Sequence, residues 1–98
     1  MLEIIYTDHL KLRLELRKIP FDYPKLIFQQ PEQLFFDTLE KRNISIKTLK
    51  YNNKLRNIMI AYEHINETIE IVTIHPISDE KIINRITSMR WIENEQKI

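Results

Sequence analysis

Three histidines, His9, His64 and His75, are the side chains of this chain that exchange protons near neutral pH without help from their surroundings. His75 follows the run Ile71-Val72-Thr73-Ile74 and precedes Pro76. A strand exit stiffened by proline would fix the ring, as general acid–base work requires. Strict alternation puts His75 on the face of Ile69, Ile71 and Thr73. On spacing alone, a packed or capping histidine is the simpler account. His9 recurs with Arg13 and Arg17 every fourth residue, which on a helix makes one ridge. A histidine beside two arginines can hold a phosphate and move a proton; the plainer alternative is an exposed polar face. His64 ends a strand beside a turn and reads as a surface residue. No two histidines have HExxH spacing, so a metal site would need assembly in three dimensions, and neither metal nor cofactor is expected.

Near the end of the chain, Asn84, Arg85 and Ser88 lie on the helical flank opposite Ile82 and Met89. Arg90 and Trp91 close that helix, with Trp91 read as a core plug, although an indole can also stack a base. Charge is distributed unevenly. The net is +1, yet residues 1–60 carry +4 and residues 61–98 carry −3. Between Lys41 and Glu63, Lys41, Arg42, Lys47, Lys50, Lys54 and Arg56 occur without an acid. Such a stretch suits a polyanion, so Lys47, Lys50, Lys54 and Arg56 are candidates for holding a nucleic-acid backbone. A solvated basic face fits the same residues.

The elements that must position these groups are legible in outline. With 98 residues and 43% of them apolar, the chain fits one small domain. It has no Gly and no Cys. Those absences exclude a phosphate-cradling glycine loop, a dinucleotide turn, an EF-hand, a disulfide framework, a Cys-containing zinc site and a thiol nucleophile. No apolar run is long enough for a membrane span, and the polar-interrupted start is too short for a signal peptide, so a cytoplasmic protein is expected. Asp8 to Arg17 alternates Leu with charged residues in a strand-like period. Its residues are nevertheless strong helix formers, and Thr7 or Asp8 can cap it, which predicts a helix. Asp22 and Pro24 start a second helix that Pro31 stops near Gln30. Strands follow at Leu34–Asp37, Asn43–Lys50, Leu55–His64 and Thr68–His75, with asparagines (Asn43, Asn52, Asn53, Asn66) at their turns. Ser78 opens a last helix with the apolar stripe Ile82, Ile83, Ile86 and Met89. The expectation is an α+β domain over residues 1–92: two N-terminal helices, a four-stranded antiparallel meander and a C-terminal helix. Residues 93–98 read as a frayed polar tail.

Thr7-Asp8-His9 followed by Arg13 and Arg17, then Ile19-Pro20-Phe21-Asp22, Pro31 and Asp37, resembles BrnT-like toxins. A small-domain family of uncharacterised function, the 4258 family, is more similar still. Its final signature is matched by Ile71-Val72-Thr73-Ile74-His75-Pro76-Ile77, by Asn84-Arg85 and by Ser88-Met89-Arg90-Trp91-Ile92. That family usually has Gly where this chain has Met89. If the Gly supplies a left-handed turn, Met89 must end the helix differently. The resemblance implies a RelE/BrnT-like fold and, from the better-known relatives, metal-free RNA cleavage by the RNA's own 2′-OH. It implies His75 as acid or base, Arg85 and Arg90 stabilising the phosphate, and His9 and Arg13 completing the pocket. RNA and a small cognate antitoxin are the implied partners, with homo-oligomers left open. A non-catalytic RNA-binding or protein-binding module on the same scaffold is the alternative.

Overall fold

Thr7 starts the first helix and fastens it to the sheet. Its hydroxyl accepts from the Leu10 N–H at 3.2 Å and donates to the Ile71 carbonyl at 3.1 Å, while its own N–H donates to the same carbonyl. This is a hydroxyl N-cap doing two jobs. The structure is a computed structural model that describes residues 2–94. The order is β1 (Glu3–Tyr6), α1 (Asp8–Arg17), α2 (Tyr23–Gln29), β2 (Gln33–Asp37), β3 (Arg42–Tyr51), β4 (Lys54–Ile65), β5 (Thr68–Pro76), α3 (Asp79–Thr87) and β6 (Trp91–Glu93).

The α+β class holds, but the sheet and the element order differ from the expectation. The strands form one six-stranded mixed sheet in the order β1-β5-β4-β3-β2-β6. β2 to β5 are joined as successive antiparallel neighbours; β1 adds parallel to β5, and β6 adds antiparallel to β2. The chain therefore begins with a strand rather than a helix. Both added strands are too short, at four and three residues, to show a period. Each is defined by a neighbour distant in sequence. The expected fraying of residues 93–98 fails at its start: Glu93 pairs with Phe35, and the Asn94 N–H donates to the Leu34 carbonyl at 3.0 Å. Residues 95–98 lie outside the described residues. Asp22 sits at the N-cap of α2, yet its side chain makes no capping bond there.

Both faces of the sheet are buried, which explains why β4 is apolar on both sides. On one face Leu10, Leu14, Ile19 and Ile27 from α1, α2 and their link pack on Ile58, Ile60, Tyr62, Ile69, Ile71 and Ile74. On the other, Ile82 of α3 joins Phe35, Ile44, Ile46, Met59, Ala61, Ile77 and Trp91. The ladder between β4 and β5 slips once. Ala61 pairs with Thr73 but Tyr62 pairs with Ile71, leaving Val72 as an extra residue. A bulge of this kind reverses the alternation of everything beyond it.

Without glycine, the left-handed positions fall to other residues. Asn52, Asn53 and Asn66 have φ values of 53°, 64° and 55°, and Lys18, Lys41 and Met89 are also left-handed. Asn43 lies within β3 instead of supplying a turn. Met89 has φ 63° and directly follows Ser88, the C-cap of α3. A side chain there costs roughly 1–2 kcal/mol against the left-handed clash with the carbonyl. Glycine would avoid that cost but lose roughly 0.5–1 kcal/mol of unfolded-chain entropy. Met89→Gly is therefore expected to stabilise the fold by up to about 1 kcal/mol. The check is a higher urea midpoint at unchanged m-value; an unchanged or lower midpoint contradicts it.

Candidate functional site

β1 pairs only with Thr68–Ile71, so β5 runs on past its parallel neighbour. Its second half is covered on one face by α1, whose Leu10 and Leu14 are buried in the cluster that contains Ile71 and Ile74. The C-terminal end of α1 reaches the β3–β4 turn, where the Tyr51 hydroxyl donates to the Arg17 carbonyl at 2.7 Å. β5 finishes at this same end of the sheet, with Pro76 opposite Ile58. α3 then leaves from that end and crosses the second face towards β6. Its start is fixed by the Ser78 hydroxyl accepting from the Lys81 N–H at 3.2 Å and by Asn57 Nδ2 donating to Asp79 at 2.6 Å. Ile82 anchors its middle.

His75 lies where these elements converge, but not on the expected face. The extra residue at Val72 returns Ile74 to the side of Ile69 and Ile71. Thr73 and His75 turn to the other side, opposite Ala61 and Met59. His75 consequently shares a face with α3. Its ring is partly buried, and Nδ1 lies 3.0 Å from the Pro76 carbonyl. A carbonyl only accepts, so Nδ1 carries the proton and the neutral ring keeps a lone pair on Nε2. Burial pushes the imidazole below the ordinary histidine value. The Pro76 carbonyl opposes this, while the charges of Arg17, Lys81 and Arg85 depress it further. The result favours a neutral imidazole with its lone pair on Nε2.

None of Arg17, Lys81 and Arg85 forms an ion pair among the described residues. Three cations whose charges act on one histidine, with no ion-pair partner among the described residues, give this corner a positive potential that suits an anion. The guanidinium carbon of half-buried Arg85 lies 5.9 Å from the centre of the Trp91 ring. Its Nε is buried and has no hydrogen-bond partner among the described residues.

The remaining sequence candidates separate. The helical ridge exists, with Arg13 Nε donating to His9 Nε2 at 3.3 Å, but the member whose charge reaches His75 is Arg17. Arg90, expected at a phosphate, is engaged by Asp37. Its Nε lies 3.2 and 3.1 Å from the two carboxylate oxygens, and Glu40 adds a contact at 3.8 Å. The basic strand set is divided by register, since neighbouring strand positions point to opposite faces. Lys47, Arg56 and Lys54 pair with Ile58, Leu49 and Tyr51 on the α1/α2 side, whereas Lys50 pairs with Leu55 on the other. Lys47 is also 3.9 Å from Glu32. His64 is exposed at the end of β4, as expected. Lys81 escaped the sequence reading altogether, although its i,i+4 spacing to Arg85 was a usable signal. Arg17 stood in the ridge but was not carried into the pocket.

Among the described residues, no group of three or more His, Asp or Glu side chains is placed to hold a metal, and no helix is long and apolar enough to cross a membrane. Compared with protein-family models, curated proteins and solved structures, the chain matches none.

The depressed His75 has a consequence for stability. With the folded value below the unfolded one, the unfolded chain binds the extra proton under mildly acid conditions. The stabilisation is complete above the ordinary histidine value of about 6.5 and is lost as pH falls through the folded-state value. His75→Gln should flatten that part of the pH dependence. Urea midpoints at about pH 7.5 and about pH 5 test this, and an unchanged slope in the variant would contradict the assignment.

Proposed function

We propose that this protein is a metal-independent endoribonuclease of the RelE/BrnT-like type, in which His75 acts as general base or acid at a phosphodiester. The observation that carries the reading is an imidazole whose Nδ1 is engaged by the Pro76 carbonyl and whose proton affinity is lowered by burial and by the charges of Arg17, Lys81 and Arg85, none of which has a carboxylate partner among the described residues. In the base role, Nε2 takes the proton of a ribose 2′-OH as that oxygen attacks the adjacent phosphorus. The O2′–P bond forms, the P–O5′ bond breaks, and the departing 5′ oxygen takes a proton from solvent. The product strand ends in a 2′,3′-cyclic phosphate. Negative charge grows on the non-bridging oxygens, and the cations stabilise it. Phosphate binding also lifts the histidine's affinity for the proton it is asked to accept.

The resemblance of Ile71–Ile77, Asn84-Arg85 and Ser88–Ile92 to the uncharacterised 4258 family, and of the residues from Thr7 to Asp37 to BrnT-like toxins, is a second support for this reading. It also supports a small antitoxin-like protein as partner. The exposed apolar side chains Ile83 and Ile86 of α3, with Met89 just beyond its C-cap, at 60%, 44% and 71% exposure, suit such a contact. The same side chains favour the second reading, a non-catalytic binding module on this scaffold.

Single-stranded RNA incubated with the purified protein in excess EDTA separates the readings. Cleavage should persist without metal, leave cyclic phosphate ends and spare a strand with deoxyribose at the cut position. His75→Ala is expected to lose roughly 10²–10⁴-fold in rate, and Arg85→Ala should also be impaired. RNA left intact by wild type, or cut equally by His75→Ala, sinks the proposal.

A further inference from the structure

Two arginines five residues apart, Arg85 and Arg90, meet the same corner of the second core in opposite ways. Arg90 is neutralised: its Nε contacts both oxygens of Asp37. Arg85 meets the π face of Trp91, at 5.9 Å, and its buried Nε–H has no acceptor among the described residues. A carboxylate would have consumed the guanidinium's donors along with its charge. An aromatic face attracts the cation and leaves all five N–H groups unspent. The indole itself cannot swing, because its Nε1–H donates to Asp37 Oδ2 at 3.0 Å and its ring stacks on Phe35 at 5.4 Å. The anchor is firm, since Asp37 is 2% exposed and also receives the Leu39 and Glu40 N–H groups.

We infer that Trp91 is a positioning residue, whose Asp37-oriented indole holds Arg85 as an uncompensated cation for the phosphate of the substrate. This inference rests on the proposed phosphodiester chemistry for its substrate class. Its geometry can be tested without that chemistry. The division of labour explains why one arginine beside the tryptophan has a carboxylate and the other has none. It also separates Trp91 from the role of a core plug alone, which would be filled equally well by another large apolar side chain.

The experiment is NMR on the intact protein, with inorganic phosphate as the probe. In wild type, the Arg85 Nε–H proton should be shifted upfield by the indole ring current and should move downfield as phosphate is added. His75 reports independently, because Arg85 is one of the charges that depress it. The other groups around it are Arg17 from α1, Lys81 from α3 and the uncharged Met59 and Ala61 of β4. Arg85→Met should raise the His75 pKa, and Trp91→Leu should raise it in the same direction while weakening phosphate binding about three- to tenfold. Trp91→Phe keeps a π face and should retain the Arg85 shift. A folded Trp91→Leu variant with unaltered His75 titration and phosphate affinity overturns the inference. If Trp91→Leu fails to fold, an Arg85 Nε–H at its random-coil position in wild type overturns it instead. Wild type that binds phosphate through Arg85 as described, but leaves RNA uncut, upholds the positioning and removes only the cleavage reading.

Discussion

A single buried carboxylate organises the second half of this protein. Asp37 ends β2 and accepts from the indole of Trp91, the guanidinium of Arg90 and two backbone N–H groups. Burial alone would raise its proton affinity. The Arg90 bond, the Glu40 N–H, the indole and the Leu39 N–H outweigh that, so the carboxyl is held below its ordinary value and stays charged. Those donors come from the β2–β3 turn and from the segment that leaves α3. One side chain thereby closes a turn, seats the edge strand β6 and fixes the direction in which α3 must run across the sheet. Thr38 adds to the clamp, its hydroxyl donating to the Arg90 carbonyl at 2.8 Å.

The second constraint is the extra residue at Val72. In a regular strand, His75 would have faced α1 and α2 among the isoleucines, where an ionisable ring costs solvation and finds few partners. The bulge instead brings it under α3, beside Lys81 and Arg85 and at an edge that Arg17 can approach. β1 contributes by being short. Because it stops at Tyr6, opposite Ile71, α1 can pack on the second half of β5 and bring the charge of Arg17 to bear on His75. The placement of His75 among these charges thus depends on one added residue and on one strand that ends early.

The lack of glycine shapes how these elements are joined. Left-handed backbone is needed wherever a helix stops or a hairpin turns, and here Asn, Lys and Met adopt it. Asparagine tolerates the conformation well, and Asn52-Asn53 makes the tight turn between β3 and β4 that brings the hairpin towards the end of α1. Met89 tolerates it less well, yet the turn it makes delivers Arg90 to Asp37 and Trp91 to the core. The expectation that its substitution for glycine would end the helix differently is answered by the backbone itself, which keeps the left-handed turn and carries the strain.

The sequence by itself determined what local physics can determine. Helix-forming residues and Thr7 placed α1; Pro24 and Pro31 bounded α2; alternation drew β3, β4 and β5; Ser78 opened α3; and His75 stood out by residue type. Tertiary structure decided the rest, because it depends on partners far away in the chain. Two strands of three and four residues exist only as additions to β2 and β5. The face of His75 turns on a bulge that has meaning only against β4. The different fates of Arg85 and Arg90 follow from a carboxylate roughly fifty residues earlier. The four basic strand residues looked like one patch in sequence and were divided by register. Periodicity says which residues can share a face, but only the neighbouring strand says which face, and what waits there.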